Sequence, residues 1–217
     1  MKLKYVTIHD YYGGQRDIMK NFQRQASCMD TLFVKCLPDV ETKAIESLII
    51  NCCPPEKVKT SELIDTSCEV YYGYDTRSFL ELSDQDKKKA LLEIVYEGVE
   101  IAARENDWCI TPFEKAKRAV IDLDYKNAYL YKKPKSSPNR KYKAVYLIQH
   151  ELYSAEIFLV ILDNAENELQ RIHLFSEEPE EGLFLELIGD ITWRGNSEIF
   201  VKSQYQESLS KIVTLQV

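Results

Sequence analysis

Two helices marked out by their own capping residues constrain this chain more than any other feature. Ser83-Asp84-Gln85-Asp86 sets a hydroxyl at a helix start and a carboxylate three residues on, the arrangement of a capping box with Asp in place of Glu. Leu91, Leu92, Val95, Val99 and Ala102 then recur at helical spacing, while Lys87, Lys88, Glu93, Glu97 and Glu100 fall largely outside that stripe. A helix from residue 83 to 105 is predicted, ended by Asn106-Asp107. Thr111-Pro112-Phe113-Glu114 opens a second one, with Thr111 as cap, Pro112 in the first turn and Glu114 closing the box. Its inner stripe is Phe113, Ala116, Val120 and Leu123. So short a link predicts antiparallel neighbours, with Trp108 plugging their junction.

Strand signals flank the pair. Residues 3–8, 31–37, 44–52, 69–74 and 78–82 read as strands, with Pro54-Pro55 ending the third. Residues 17–25 suit a short helix on Ile18 and Phe22, and 58–66 reads as irregular. Downstream, strands are predicted at 128–131, 142–149, 155–162, 169–175, 183–188, 191–194, 198–203 and 212–215, with a basic loop at 132–141. The class implied is α+β: an antiparallel β-meander packed on a central pair of antiparallel helices, with a β-rich N-terminal portion. One domain over 1–217 is expected. If it divides, the division is expected between 54 and 67.

No apolar run approaches the roughly 20 residues of a membrane span, and the opening Met1-Lys2-Leu3-Lys4-Tyr5 lacks a secretory h-region. A cytoplasmic location without membrane contact is the expectation. Cys28, Cys36, Cys52, Cys53, Cys68 and Cys109 include no C-x-x-C pair, so free and mostly buried thiols are expected rather than disulfides or zinc. From residue 144 to 217, thirteen acidic side chains face four basic ones, a balance that repels phosphates and favours a basic partner. Nucleic acid is disfavoured on that ground.

Catalytic signatures are thin. Gly13-Gly14-Gln15 matches the tripeptide of peptide release factors, but a Gly-Gly after two tyrosines reads more simply as a turn needing positive φ. His9-Asp10 and His150-Glu151 are strand neighbours that point to opposite faces, and His173 stands by itself. No metal ligand set, phosphate loop or nucleophile motif emerges, so no catalytic residue, metal or cofactor is assigned. Lys126, Lys132, Lys133, Lys135, Arg140, Lys141 and Lys143, interleaved with Tyr129, Tyr131 and Tyr142, read as a solvated hairpin tip. Glu177, Glu178, Glu180 and Glu181 are expected to repel one another into an extended loop that steers a cationic partner. Tyr71, Tyr72 and Tyr74 are expected on exposed strand faces as packing anchors.

The stretches K-K-K-A-L-L-E-I (87–94) and N-D-W-C-I-T-P-F-E-K-A (106–116), followed by the meander with R-K-Y-K-A-V-Y-L (140–147), resemble in organisation the immunity proteins of bacterial polymorphic-toxin and contact-dependent inhibition systems. The resemblance runs over residues 79–175 and implies a non-enzymatic inhibitor that covers the active site of a basic toxin, nuclease-type domains included. The alternatives are an enzyme with a cryptic cysteine- or phosphate-dependent site, and a structural or adaptor protein. No oligomeric state is implied.

Overall fold

The computed structural model describes residues 3–11 and 16–216, so the Gly13-Gly14-Gln15 tripeptide lies outside the described residues. The chain is mixed helix and strand, with three sheets, and forms two compact units, Met1–Asn127 and Ala128–Val217. Residues 54–67 lie within the first unit, and the helix pair and the meander fall in different units.

The first unit begins with β1 (Tyr5–Asp10), α1 (Arg16–Cys36) and β2 (Ser47–Cys53), and a short 3-10 turn at Pro55–Lys57 follows. Next come β3 (Lys59–Ile64), β4 (Ser67–Gly73), α2 (Thr76–Leu80), α3 (Asp84–Asn106) and α4 (Thr111–Asp122). The sheet order is β1-β2-β4-β3, with β1, β2 and β4 parallel and β3 antiparallel to β4. Parallel neighbours need a crossover, and α1 supplies one between β1 and β2. The N-terminal portion, expected to be β-rich, therefore holds a long helix beside a mixed sheet.

Three local expectations fail for identifiable reasons. Residues 31–36 of the expected strand 31–37 belong to α1, because Phe22, Ala26, Met29 and Phe33 bury one helical stripe that outweighs the β-forming Thr31, Phe33 and Val34. Residues 78–82 lie largely in α2, which Asp75 starts by accepting a hydrogen bond from the Arg77 amide. Residues 58–66 contain β3, which completes the sheet.

The helix pair stands where its capping residues put it. Ser83 Oγ accepts from the Asp86 amide at 3.2 Å and donates to Asp86 Oδ2 at 2.7 Å, and Asp107 closes α3 in the left-handed region. The stripe Leu91, Leu92, Val95, Val99 and Ala102 is buried. Trp108 is buried and stacks on Phe113, 6.4 Å between ring centres. Two details differ. Ile110, not Thr111, is the residue before α4, and Leu123, just past its end, is exposed.

The helices gather on one face of the sheet. A Cβ on Gly98 of α3 would lie 2.6 Å from Ile50 of β2, so the absent side chain is what lets helix and strand touch. Asp30 of α1 is buried, and its Oδ2 accepts from the Ile8 amide of β1 at 3.2 Å.

In the second unit β5 (Asn127–Ser136), β6 (Lys143–His150), β7 (Ala155–Leu162) and β8 (Glu168–Glu177) form a sheet in sequence order, antiparallel from β6 to β8. After α5 (Glu181–Leu187), β9 (Ile188–Arg194), β10 (Glu198–Ser203) and β11 (Lys211–Thr214) make a second antiparallel sheet. One core runs through both, including Tyr146, Ile157, Leu159, Phe184 and Ile199. Residues 183–188, expected as a strand, are mostly α5, because Phe184 and Leu187 bury one side of a helical turn. The basic segment is no hairpin tip along most of its length, since Lys132, Lys133 and Lys135 are strand residues of β5. Lys132 Nζ donates to the carbonyls of Ile188 and Gly189 and so ties β5 to β9.

Burial pushes the Asp30 carboxyl well above its ordinary value of 3.8. The folded state then holds this proton more tightly than the unfolded state, so the contribution is complete below the ordinary value and is lost as pH rises through the raised one. Asp30→Asn keeps an acceptor for the Ile8 amide and removes the titration. The melting temperature of the variant relative to wild type is expected to rise as the pH is increased above about 4, and a constant difference in thermal scans would refute this account. A Cβ at Gly189 would collide with the Lys202 carbonyl oxygen, whereas one at Gly182 meets nothing. Gly189→Ala is expected to cost at least about 2 kcal/mol by denaturant titration, and Gly182→Ala to stay within about 0.5 kcal/mol.

Candidate functional site

One end of the β5–β8 sheet gathers the features expected of a contact surface. Strand direction alternates along a meander, so the turn between β6 and β7 and the chain leaving β8 emerge at the same end. Ala155 pairs with Glu177 there. The first turn is closed by the Glu151 amide donating to the Ser154 carbonyl, and it presents Tyr153, 55% exposed. The second carries Glu177, Glu178, Glu180 and Glu181 into α5, where Leu183 is 41% exposed.

The acidic segment is not the extended loop that mutual repulsion would give. His150 at the end of β6 is fully buried, edge-on to Phe184, and lies 3.1 Å through Nε2 from the Pro179 carbonyl. A carbonyl can only accept, so Nε2 carries the hydrogen. Tyr129 OH reaches Glu181 Oε1 at 3.4 Å, the Glu178 amide donates to Glu177 Oε1, and the Glu180 amide donates to the Glu178 carbonyl. Burial and the Glu181 carboxylate together raise the Tyr129 hydroxyl above its ordinary value, which keeps it a donor. Pro179 is buried, Glu180 is exposed, and Glu177, Glu178 and Glu181 are half-buried.

The charge balance changes once the unit is known. Cutting the sequence at residue 144 separates β5 and its turn from the sheet they belong to. Over Ala128–Val217 thirteen acidic side chains face ten basic ones, a net −3. The acidity is thus a property of one end of the unit and not of the whole of it.

The three tyrosines expected as surface anchors belong to the first unit and do not share a face. Tyr71 is buried, and its hydroxyl donates to Glu69 Oε2 at 2.9 Å. Tyr72 points to the opposite, helix-covered side, and Tyr72 and Tyr74 are half-buried. Burial, then Glu97 and Glu93 of α3, raise the Tyr72 hydroxyl above its ordinary value, whereas burial and Cys52 push Tyr74 up to about 12. Tyr153 was the exposed aromatic that residue-by-residue reading missed. Its signal was present: His150-Glu151-Leu152-Tyr153-Ser154 lies between two strands, at the parity that places it beside the acidic turn.

The histidines do not converge on a metal. Among the described residues no group of three or more His, Cys, Asp or Glu side chains stands close enough to hold one. His173 Nε2 lies 2.8 Å from Glu156 Oε2 and 3.2 Å from Ser176 Oγ, and Ser176 Oγ donates to the same carboxylate. Serine and carboxylate both address one ring nitrogen, so this is not the relay in which base and orienting acid use opposite nitrogens. Burial alone would raise Glu156, but hydrogen bonds from Ser176, Ser154 and His173 hold it below its ordinary value.

All six cysteines are free, with Cys28, Cys52, Cys53 and Cys68 buried, Cys36 half-buried and Cys109 exposed. Burial raises the thiols of Cys36, Cys52, Cys53 and Cys68, which suppresses the nucleophilic thiolate. No helix among the described residues is long and apolar enough to cross a membrane. Comparison with protein-family models, curated proteins and solved structures finds no match to this chain.

With Ellman's reagent the native protein is expected to show one fast thiol, Cys109, and a slower one, Cys36. The other four should appear only on addition of denaturant. A rapid second thiol that disappears in Cys52→Ser or Cys53→Ser would overturn this ordering.

Proposed function

We propose that the chain is a non-enzymatic protein-binding inhibitor of the immunity type, which holds a basic toxin effector through the acidic end of its second unit. The observation that carries the reading is the placement of exposed Tyr153 and Leu183 at the same sheet end as Glu151 and the four glutamates of the 177–181 turn. An aromatic anchor with a charged surround is the usual anatomy of a protein contact. The turn is already ordered by His150, so little conformational entropy is lost on association. Carboxylates steer a cationic surface and compete with phosphate for it, which suits a nuclease-type effector. The reading carries with it a cytoplasmic site of action and roles for Glu177, Glu178, Glu180 and Glu181 in encounter. Tyr153 serves as the packing anchor.

The test is stopped-flow association with purified basic nuclease-type effector domains at low ionic strength, alongside inhibition of their nucleic-acid cleavage. Changing all four glutamates to lysine is expected to slow association about tenfold or more, with the loss shrinking as salt is added. Tyr153→Ala is expected to speed dissociation instead. A partner that binds the four-lysine variant at the wild-type rate would remove the steering role, and cleavage undiminished by saturating chain would remove the inhibitory one.

A further inference from the structure

At the carboxyl ends of β1, β2 and β4, the first unit has a crevice of about 370 Å³ lined by Tyr11, Glu56, Lys57, Val58, Lys59 and Tyr71. Crevices at this end of parallel strands are where open α/β sheets take their ligands, and about 300–1,000 Å³ is the common size of a small-molecule site.

The lining is built, not incidental. Tyr11 follows β1, and its amide donates to the Cys52 carbonyl at 2.7 Å, so its backbone continues the ladder. Its ring meets Tyr71 edge to face, 5.5 Å between centres at 79°, and is half exposed. Tyr71 is in turn fixed by Glu69, which also accepts from Asn51 Nδ2 at 3.1 Å. The turn that carries Lys57 folds down on the end of β4, because Gly73 offers no side chain: a Cβ there would lie 3.2 Å from Val58. Lys57 Nζ lies 5.7 Å from the centre of the Tyr11 ring, and Lys59 Nζ lies 4.1 Å from that of Tyr71. Lys59 also pairs with Glu62 at 2.6 Å, across an exposed surface.

One half-exposed aromatic ring, two ammonium groups and one carboxylate lining a single small crevice have a simple chemical complement. Planar bases stack on tyrosine rings whatever their identity. A phosphate satisfies lysine as a point charge. A carboxylate such as Glu56 accepts from the hydroxyls of a ribose. We propose that this crevice binds a nucleoside monophosphate, its base against the exposed ring of Tyr11, which Tyr71 supports edge to face, its phosphate between Lys57 and Lys59, and its sugar toward Glu56. The site lies in the first unit and is independent of the acidic surface of the second.

The experiment is calorimetric titration of the full chain, supported by saturation-transfer NMR, with each of the four common ribonucleoside monophosphates, with adenosine and with inorganic phosphate. Saturable binding of at least one monophosphate below about 1 mM is expected, with adenosine and phosphate alone each about tenfold weaker or more. Tyr11→Ala and Lys57→Ala change exposed side chains, so both variants should fold as wild type by circular dichroism. Each is expected to weaken binding about tenfold, and Lys57→Ala should also flatten its salt dependence. The proposal is overturned if no monophosphate saturates, if phosphate alone binds as tightly as the nucleotide, or if folded Tyr11→Ala and Lys57→Ala bind as wild type.

Discussion

The contact of α3 with β2 sets the layout of the first unit. Parallel strands cannot be joined by hairpins, so α1 crosses over between β1 and β2 and covers a face, whereas the chain between β2 and β4 returns through β3 at the sheet edge. Here α1 and α3 pack on each other and on the sheet, and the glycine at position 98 lets the backbone of α3 come down onto Ile50. The face that carries Ile8, Ile50 and Val70 becomes the apolar one, and all three are buried. Alternation then assigns His9, Asn51, Glu69 and Tyr71 to the other face. A charged hub such as Glu69, accepting from both Asn51 and Tyr71, suits a face left to polar side chains. The Tyr11–Tyr71 pair stands at the end of that same face, so the crevice follows from where the helices are.

The second unit uses a buried polar residue in a different way. His150 is fully buried, yet its ring is satisfied, with Phe184 at its edge and the Pro179 carbonyl as acceptor. A buried donor without a partner would cost about 1–3 kcal/mol, so the carbonyl is held where the histidine needs it. Pro179 is thereby pinned between two pairs of glutamates. Repulsion among carboxylates that keep contact with water is weak, worth about 1 kcal/mol for unit charges 4 Å apart in bulk water, and it loses to this anchor.

Legibility followed the strength of local signals. The α3–α4 pair could be read nearly to the residue because helical periodicity agreed with the Ser83 cap of α3 and with the proline in the first turn of α4. The meander strands from β6 to β8 were equally plain, since alternation and turn residues coincide. The reading of 31–37 as a strand fails because the β-forming Thr31, Phe33 and Val34 sit inside a longer helical stripe, of which a short helix over 17–25 takes in only the beginning. Parallel pairing of β1, β2 and β4 left no local mark at all, as it is decided by the crossover and by burial. Of the sites, the acidic turn was legible as composition, but its anchor was not: nothing in the spacing of His150 and Pro179 announces a hydrogen bond between strand end and turn. The crevice joins residues 11, 56–59 and 71, and only the sheet order brings those together.

Net charge taken over a sequence window misrepresents the second unit in an instructive way. The same meander parity that places Tyr153 beside the acidic turn sends the β5–β6 turn, with Arg140 and Lys141, to the opposite end of the sheet. Lys143 begins β6 at that end and pairs with Glu166 in the β7–β8 turn at 3.2 Å. Eight residues of β6 separate the two ends, about 26 Å at ~3.3 Å per residue. The screening length at physiological salt is about 8 Å, so an approaching molecule feels one end at a time. The sum of −3 describes neither end. A cationic surface meets the glutamates at 177–181 largely unopposed, and the lysines of the far end do not cancel them. Charge separated along the strand direction therefore lets a unit close to neutral act locally as an acidic one.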